Sequence, residues 1–255
     1  MGFITDFVNA IVDPFLSPLL NLNPLLAIII TTFTIALLIV LMTKKFTDQD
    51  LLKRLKGEVK ELQAEAKTLR QHPEQMMKVN SRMMETNLKM MTQNFRVMFF
   101  TIIPLLLIFS WLGSHFAYLP LGVDSSFEVR AEILEGLGGE VELLVPDGLV
   151  LHSEAVQTIN AGSVAWQLSG PEGTYDVSVK YQDGLFSKEV VISDDYGRYA
   201  PVLEEFSDSA VTSVSLSNQK LKILNLFGWK LGWLGTYIIF SIVFNISLKK
   251  LLKVV

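Results

Sequence analysis

The chain contains no cysteine. That excludes a disulfide framework and a thiolate metal site, so any folded domain must hold together on its own core. Its three histidines, His72, His115 and His152, are scattered, and no Cys–His or Ser–His–Asp set can be assembled around them. A glycine-rich phosphate loop is also lacking. The long apolar runs hold no Asp or Glu, the residues that hydrolysis within a bilayer would use. In the acid-rich part of the chain, Asp194-Asp195 reads as a solvated turn rather than a cation site. The first 23 residues carry no Lys or Arg, whereas a secretory signal opens on a basic stretch. These absences point away from an enzyme and from any cofactor or metal.

Hydrophobic residues make up 50% of the chain, and they gather in runs rather than spreading through one large core. Three runs have the length of membrane spans: 24–43, 97–118 and 228–248. A Leu or Ile at mid-span favours insertion by ~0.3–0.6 kcal/mol, and a charge there costs ~2.5–3.5 kcal/mol. The only formal charge in the three runs is Lys230, near an end from which it can snorkel. Ahead of them, Phe3, Phe7, Val8, Ile11, Val12 and Phe15 recur at helical spacing. Residues 1–23 therefore read as a short amphipathic helix in the membrane interface, ended by Pro14 and Pro18.

Charge gives the orientation. Between Lys44 and Arg96 stand twelve Lys/Arg against seven Asp/Glu; between Leu119 and Phe227 stand six against seventeen. Residues 249–255 add Lys249, Lys250 and Lys253. The positive-inside rule places 44–96 and 249–255 in the cytoplasm, and the N-terminus and 119–227 outside. The expectation is a multi-pass plasma-membrane protein, N-out and C-in.

The exterior segment changes pattern. FEVRAEIL, EVELLV, SVAWQLS, TYDVSVKY, SKEVVI and AVTSVSLS alternate apolar and polar residues. They are separated by the turn signals Gly138-Gly139, Pro146-Asp147-Gly148, Gly170-Pro171 and Gln182-Asp183-Gly184. Six to eight short strands in about 95 residues suggest an all-β, immunoglobulin-like antiparallel sandwich. Trp166, in an alternating strand, is expected in its core.

Residues 44–96 carry the most specific pattern. Leu52, Leu55, Val59, Leu62, Ala66 and Leu69 form a heptad-like stripe, and His72-Pro73 breaks that helix. A second helix then runs from Glu74 toward the second span, giving a coiled-coil hairpin. Seven of the nine methionines fall on it: Met76, Met77, Met83, Met84, Met90, Met91 and Met98. Two readings of them compete. They form the seam against the Leu52–Leu69 stripe, or they offer a polarisable surface that accepts many apolar partners. Met specifies a unique core poorly, so a hairpin needing only rigidity would favour Leu or Ile. One column can pack while the other stays open.

In the spans, Thr34, Thr101, Ser241 and Asn245 are polar candidates for lining a wet groove, against the plainer role of helix–helix contacts. Pro104 frees a backbone carbonyl in the second span. Gly228, Gly232 and Gly235 are candidates for close helix approach.

This order of parts resembles the YidC/Oxa-type membrane insertase superfamily. The likeness is greatest to its archaeal YidC-like branch, which is similar to the third subunit of the endoplasmic reticulum membrane protein complex. It rests on LFGWKLGWLGTYIIFSIVFNISLKKLL, notably Gly232-Trp233-Leu234-Gly235 and Tyr237, and on the Met-rich helix running into FRVMFFTIIPLLLIF. It covers about residues 1–120 and 222–255. The resemblance implies a groove between three helices, open to the cytoplasm and to lipid, into which apolar segments captured by cytoplasmic helices slide. It implies nascent or newly made membrane proteins and the lipid bilayer as partners. Further expected partners are a ribosome or targeting factor at the basic hairpin, and an exterior partner of the β-domain. Two features depart from the family pattern: no span has a mid-membrane Arg, and the β-domain falls between the second and third spans. The competing expectation is a non-catalytic anchor or receptor, with a ligand-binding β-sandwich outside and a coiled-coil interaction module inside.

Overall fold

The computed structural model describes residues 12–69 and 71–254. The reading of 1–23 as an amphipathic helix falls largely on residues 1–11, outside the described residues. Residues 12–16 are helical, and Ser17–Asn21 form a 3-10 turn. Pro14 sits within the helical residues rather than ending them. The chain divides into two compact units.

One unit is helical. Helix α1, Pro24–Phe46, opens with proline in its first turn, where the missing N–H costs nothing. Its threonines bury their hydroxyls by donating back to the preceding turn: Thr31 to the Ala27 carbonyl at 2.8 Å, Thr32 to Ile28 at 2.6 Å and Thr43 to Ile39 at 2.8 Å. Helix α2, Gln49–Thr68, is capped by Asp48, whose Oδ1 accepts the Leu51 N–H at 2.9 Å. Proline at the helix start also opens α3, Pro73–Phe116, which runs without a break through 44 residues, roughly 66 Å. Pro104 lies inside it and leaves the Phe100 carbonyl without its helical donor. Helix α4, Trp233–Leu252, ends on Lys249 and Lys250, favourably placed at the negative end of its dipole.

α1, α4 and the residues 97–116 of α3 are each long and apolar enough to cross a membrane. They touch pairwise through aromatic rings: Phe33 on Phe244 edge-on at 5.4 Å, Phe46 stacked on Phe100 at 5.0 Å, and Phe109 on Tyr237 edge-on at 4.7 Å.

The third apolar run differs from its sequence reading. Helix α4 starts at Trp233, not Gly228. Gly228 lies in a tight turn at φ 94, and Lys230 lies in a short strand. Gly228 and Gly232 are therefore not packing positions on a helix; Gly235 is in the first turn of α4. Gly113 of α3 faces the Trp233 ring, where an added Cβ would make ordinary van der Waals contact at 3.7 Å.

The other unit holds the β-domain. Its strands are β1 Phe127–Ile133, β2 Glu140–Leu144, β3 Val150–Leu151, β4 Val156–Thr158, β5 Ser163–Ser169, β6 Gly173–Tyr181, β7 Gly184–Ile192, β8 Leu203–Glu205 and β9 Val211–Leu216. They form one sheet in the order β3-β5-β1-β9-β8 and another in the order β4-β2-β6-β7. Every pairing between these strands is antiparallel. A single apolar core draws on both sheets, with Val129, Trp166 and Val214 from the first and Val141, Val177 and Val190 from the second. Trp166 is fully buried, and its Nε1–H donates to the Ala155 carbonyl at 3.0 Å. A separate hairpin, β10 Leu224–Leu226 and β11 Trp229–Leu231, belongs to neither sheet.

Beyond Phe116, the segments entering and leaving the β-domain pair with each other. The Leu119 N–H donates to the Gln219 carbonyl at 2.7 Å and the Leu221 N–H to Ala117 at 3.0 Å. Tyr199 closes the end of α3: its hydroxyl accepts the N–H groups of Ala117 at 3.1 Å and Tyr118 at 3.3 Å, and donates to the Gly113 carbonyl at 3.4 Å.

Candidate functional site

The heptad stripe of α2 dictates what α3 must present to it. Leu52, Leu55 and Leu62 are buried. On α3 the shielded residues are Met76, Val79, Met83, Thr86, Met90, Gln93 and Val97, spaced alternately by three and four, so they share one helix face, the seam side of α3. Lys89 pairs with Glu85 at 2.9 Å, and its pKa is raised by that carboxylate and further by Glu58 of α2, as an antiparallel α2–α3 pairing requires.

The second methionine of each pair falls on another face. Met77, Met84, Leu88, Met91, Phe95 and Met98 follow spacings of seven, four, three, four and three, and all are exposed, Met77 by 70% and Met84 by 64%. The seven methionines thus separate into two columns. Met76, Met83 and Met90 are half-buried in the seam, while Met77, Met84, Met91 and Met98 stand open. The open column continues along the same helix into the apolar segment, through Phe99, Ile102 and Leu106, all exposed.

Between the columns lies a feature that the methionine spacing alone does not reveal. Residues 76–96 are three tandem heptads, MMKVNSR, MMETNLK and MMTQNFR. Each places an asparagine, Asn80, Asn87 or Asn94, four residues after the first Met. Asn80 and Asn87, with Met83, Met84, Leu88 and Met91, line a shallow depression of about 240 Å³. The open column is therefore bordered by neutral amides, which hydrogen-bond without charge.

A second concavity, of about 330 Å³, lies between α1 and α4. It is lined by Ala36, Ile39, Tyr237, Ser241, Ile242, Asn245 and Ile246. Of the four polar span residues, Ser241 and Asn245 line this concavity. Thr34 and Thr101 do not. Thr34 is two residues from Ala36 and so on the opposite face of α1, its hydroxyl donating to Ile30 at 2.9 Å. The Thr101 hydroxyl is turned to the Val97 carbonyl at 3.0 Å. Tyr237 joins the groove instead, and the signal is present in the sequence: 237, 241 and 245 follow at intervals of four on one face. Asn245 forms no side-chain hydrogen bond among the described residues.

The histidines stay apart. His152 bonds the Ser169 hydroxyl at 2.7 Å in the β-domain, His115 stacks on Trp111, and His72 lies between α2 and α3. Among the described residues no group of carboxylates and histidines has metal-ligand geometry. Asp194 accepts the Val123 N–H at 3.1 Å, joining the loop after β7 to the segment that enters the β-domain.

No curated protein matches the chain, and no solved structure does. A family model described as integral membrane protein EMC3/TMCO1-like matches residues 9–143, more than half of the chain. The match takes in α1, the methionine columns and all of α3, and stops short of α4. This chain therefore belongs to the EMC3/TMCO1-like family of integral membrane proteins, part of the Oxa1/YidC/Alb3 insertase-related superfamily.

Proposed function

We propose that this protein is a membrane protein insertase of the archaeal YidC-like type, which captures apolar segments on the open methionine column and passes them into the bilayer. The observation that carries the reading is continuity: an exposed apolar lane runs from Met77 to Leu106 on one unbroken helix, from outside the apolar segment to within it. A span-length segment leaving water gains about 0.8 kcal/mol per buried CH₂, so transfer needs no fuel. Thioethers suit clients of varied shape, because Met adapts its rotamers to the surface it meets. The neutral amides bordering the lane select against charge without presenting one.

In this reading the hairpin and 249–255 face the cytoplasm, and the N-terminus and β-domain lie outside the plasma membrane, as the Lys/Arg distribution favours. The groove between α1 and α4 takes the polar flank of a client, with Ser241, Asn245 and Tyr237 lowering the penalty of polar groups in hydrocarbon. The chemistry is transfer rather than bond making, so the protein is not an enzyme. Newly made membrane proteins are its clients, and the basic hairpin suits a ribosome or targeting factor. The β-domain, of immunoglobulin-like sandwich type, serves an exterior partner.

Purified protein in liposomes, given a single-span substrate with a short tail, tests the reading. Insertion above protein-free liposomes is expected, and a Met84→Glu, Met91→Glu double variant should lose most of it. Equal insertion by the variant would refute the role of the column.

A further inference from the structure

The β10–β11 hairpin belongs to neither sheet of the β-domain, and its composition is unusual for a loop. The register pairs Leu224 with Leu231, Asn225 with Lys230 and Leu226 with Trp229. Side chains alternate along each strand, so Leu224, Leu226, Trp229 and Leu231 share one face, and Asn225 and Lys230 the other. The turn is Phe227-Gly228, both at positive φ, 50° and 94°. Such turns favour Asn-Gly, whose first residue tolerates the left-handed region; a phenylalanine there is strained. Phe227 is nonetheless fully exposed and Trp229 is 76% exposed, so neither ring repays the strain by packing against the chain.

A lone two-stranded hairpin is marginal in water. This one has both roots at the end of α3. Leu221 donates to the Ala117 carbonyl, one residue past the helix, and a Cβ on Gly232 would lie 3.5 Å from the Leu221 carbonyl. Trp233, the first residue of α4, has its ring against Gly113. Residues 222–232 therefore leave and return at the level where two apolar helices end. Each strand has three residues and reaches at most about 10 Å, so the hairpin stays close to that boundary. Its aromatic and lysine content matches what sits at the headgroup level of a bilayer.

We infer that the hairpin is a membrane-surface anchor. It lies in the interface of the leaflet where α3 ends and α4 begins, with Phe227, Trp229 and the three leucines toward the acyl chains. Lys230, on the opposite face, points to the lipid phosphates. The strain at Phe227 is then offset by burial in lipid rather than by contacts within the chain.

The absence of cysteine makes the test direct. Single variants Phe227→Cys, Trp229→Cys and Lys230→Cys, with Asp183→Cys in the exposed β6–β7 turn as reference, carry nitroxide labels on the full chain. The vesicles are of phosphatidylethanolamine and phosphatidylglycerol. The ratio of oxygen to water-soluble nickel-complex collisions should be severalfold higher at 227 and 229 than at 183, with 230 between. Labels at 227 and 229 as open to the nickel complex as 183, or shielded from both reagents, would overturn the inference. A label-free measurement guards against disturbance of the turn: acyl-brominated lipid should quench the unlabelled chain more than its Trp229→Phe variant, and equal quenching would count against the anchor.

Discussion

Replacing Tyr199 with phenylalanine isolates one atom on which the end of α3 depends. The hydroxyl accepts two N–H groups, from Ala117 and Tyr118, and donates to the Gly113 carbonyl. The ring of the variant can stay in place, so the loss is confined to those bonds. A net hydrogen bond contributes ~0.5–1.5 kcal/mol, and a buried donor left without an acceptor costs ~1–3 kcal/mol. Ala117 and Tyr118 are half-buried, which favours the lower end, about 2 kcal/mol in all. If opening is local, exchange of these two amides should speed up by roughly 30-fold, since each 1.4 kcal/mol is a factor of ten. Hydrogen exchange on the full chain in lipid reads this, with β6–β7 amides as an unchanged internal reference. The phenol adds a pH signature. Burial pushes its pKa up to about 12 from 10.0, so the folded state holds this proton more tightly than the unfolded one. Stability from it is complete below pH 10 and falls as pH rises toward 12, a component that the variant should lack. Unaltered exchange at both amides would refute the assignment of Tyr199 as the closing residue.

Other substitutions separate packing from presentation. Met83→Asp puts a charge into the seam and should lower the melting of hairpin helicity by about 2–4 kcal/mol, whereas Met84→Asp, one residue away, should change it by less than about 0.5 kcal/mol. The Lys188 side chain is fully buried on edge strand β7; its Nζ has no hydrogen bond, and the nearest carboxylate oxygen, of Glu204, is 3.9 Å away. Such an inward lysine guards an open sheet edge against pairing, at a cost in stability. Lys188→Met should therefore stabilise the β-domain by about 1 kcal/mol or more in denaturant unfolding. Burial lowers the Lys188 pKa, so wild-type stability should gain as pH rises toward 10.5, and the variant should not show that gain. Gly197→Ala forces a side chain into φ 79 with its Cβ 2.8 Å from Leu20 Cδ2 and 3.3 Å from the His115 carbonyl. A loss of about 1–3 kcal/mol in thermal unfolding is expected.

Much of this architecture is written in local pattern. Uncharged runs mark the spans, because a single mid-span charge outweighs several leucines. The Leu52–Leu69 stripe and His72-Pro73 mark the helical hairpin. The alternating runs correspond to β1, β2, β5, β6, β7 and β9. β3, β4 and β8 escape detection because two or three residues are too few to display a period of two. The hairpin at 224–231 is hidden for the opposite reason: its leucines and tryptophan extend the hydropathy of α4 upstream, and only the Phe227-Gly228 turn, between its two strands, interrupts the run.

The candidate site was legible in part. Paired methionines at intervals of seven announce two adjoining helical faces, but which one meets α2 depends on the register of the seam. Ser241 and Asn245 share a groove because four residues separate them on one helix. Thr34 drops out because it stands two residues from Ala36, on the opposite face of α1; its bond to its own backbone does not set it apart, since Ser241 bonds the Ile238 carbonyl in the same way. Tyr199 could not be found this way, since its partners lie more than 80 residues upstream.

In the proposed insertase the open column receives clients while the packed column does not. A photo-cross-linking residue at Met84 or Met91, in the full chain with a translating or chaperone-held single-span substrate, tests it most directly. The same probe at Met83 or Met90 is the control. Adducts to the substrate's apolar segment from 84 and 91, and adducts to α2 from 83 and 90, are the predicted result. Adducts from 84 and 91 only to α2 would contradict it.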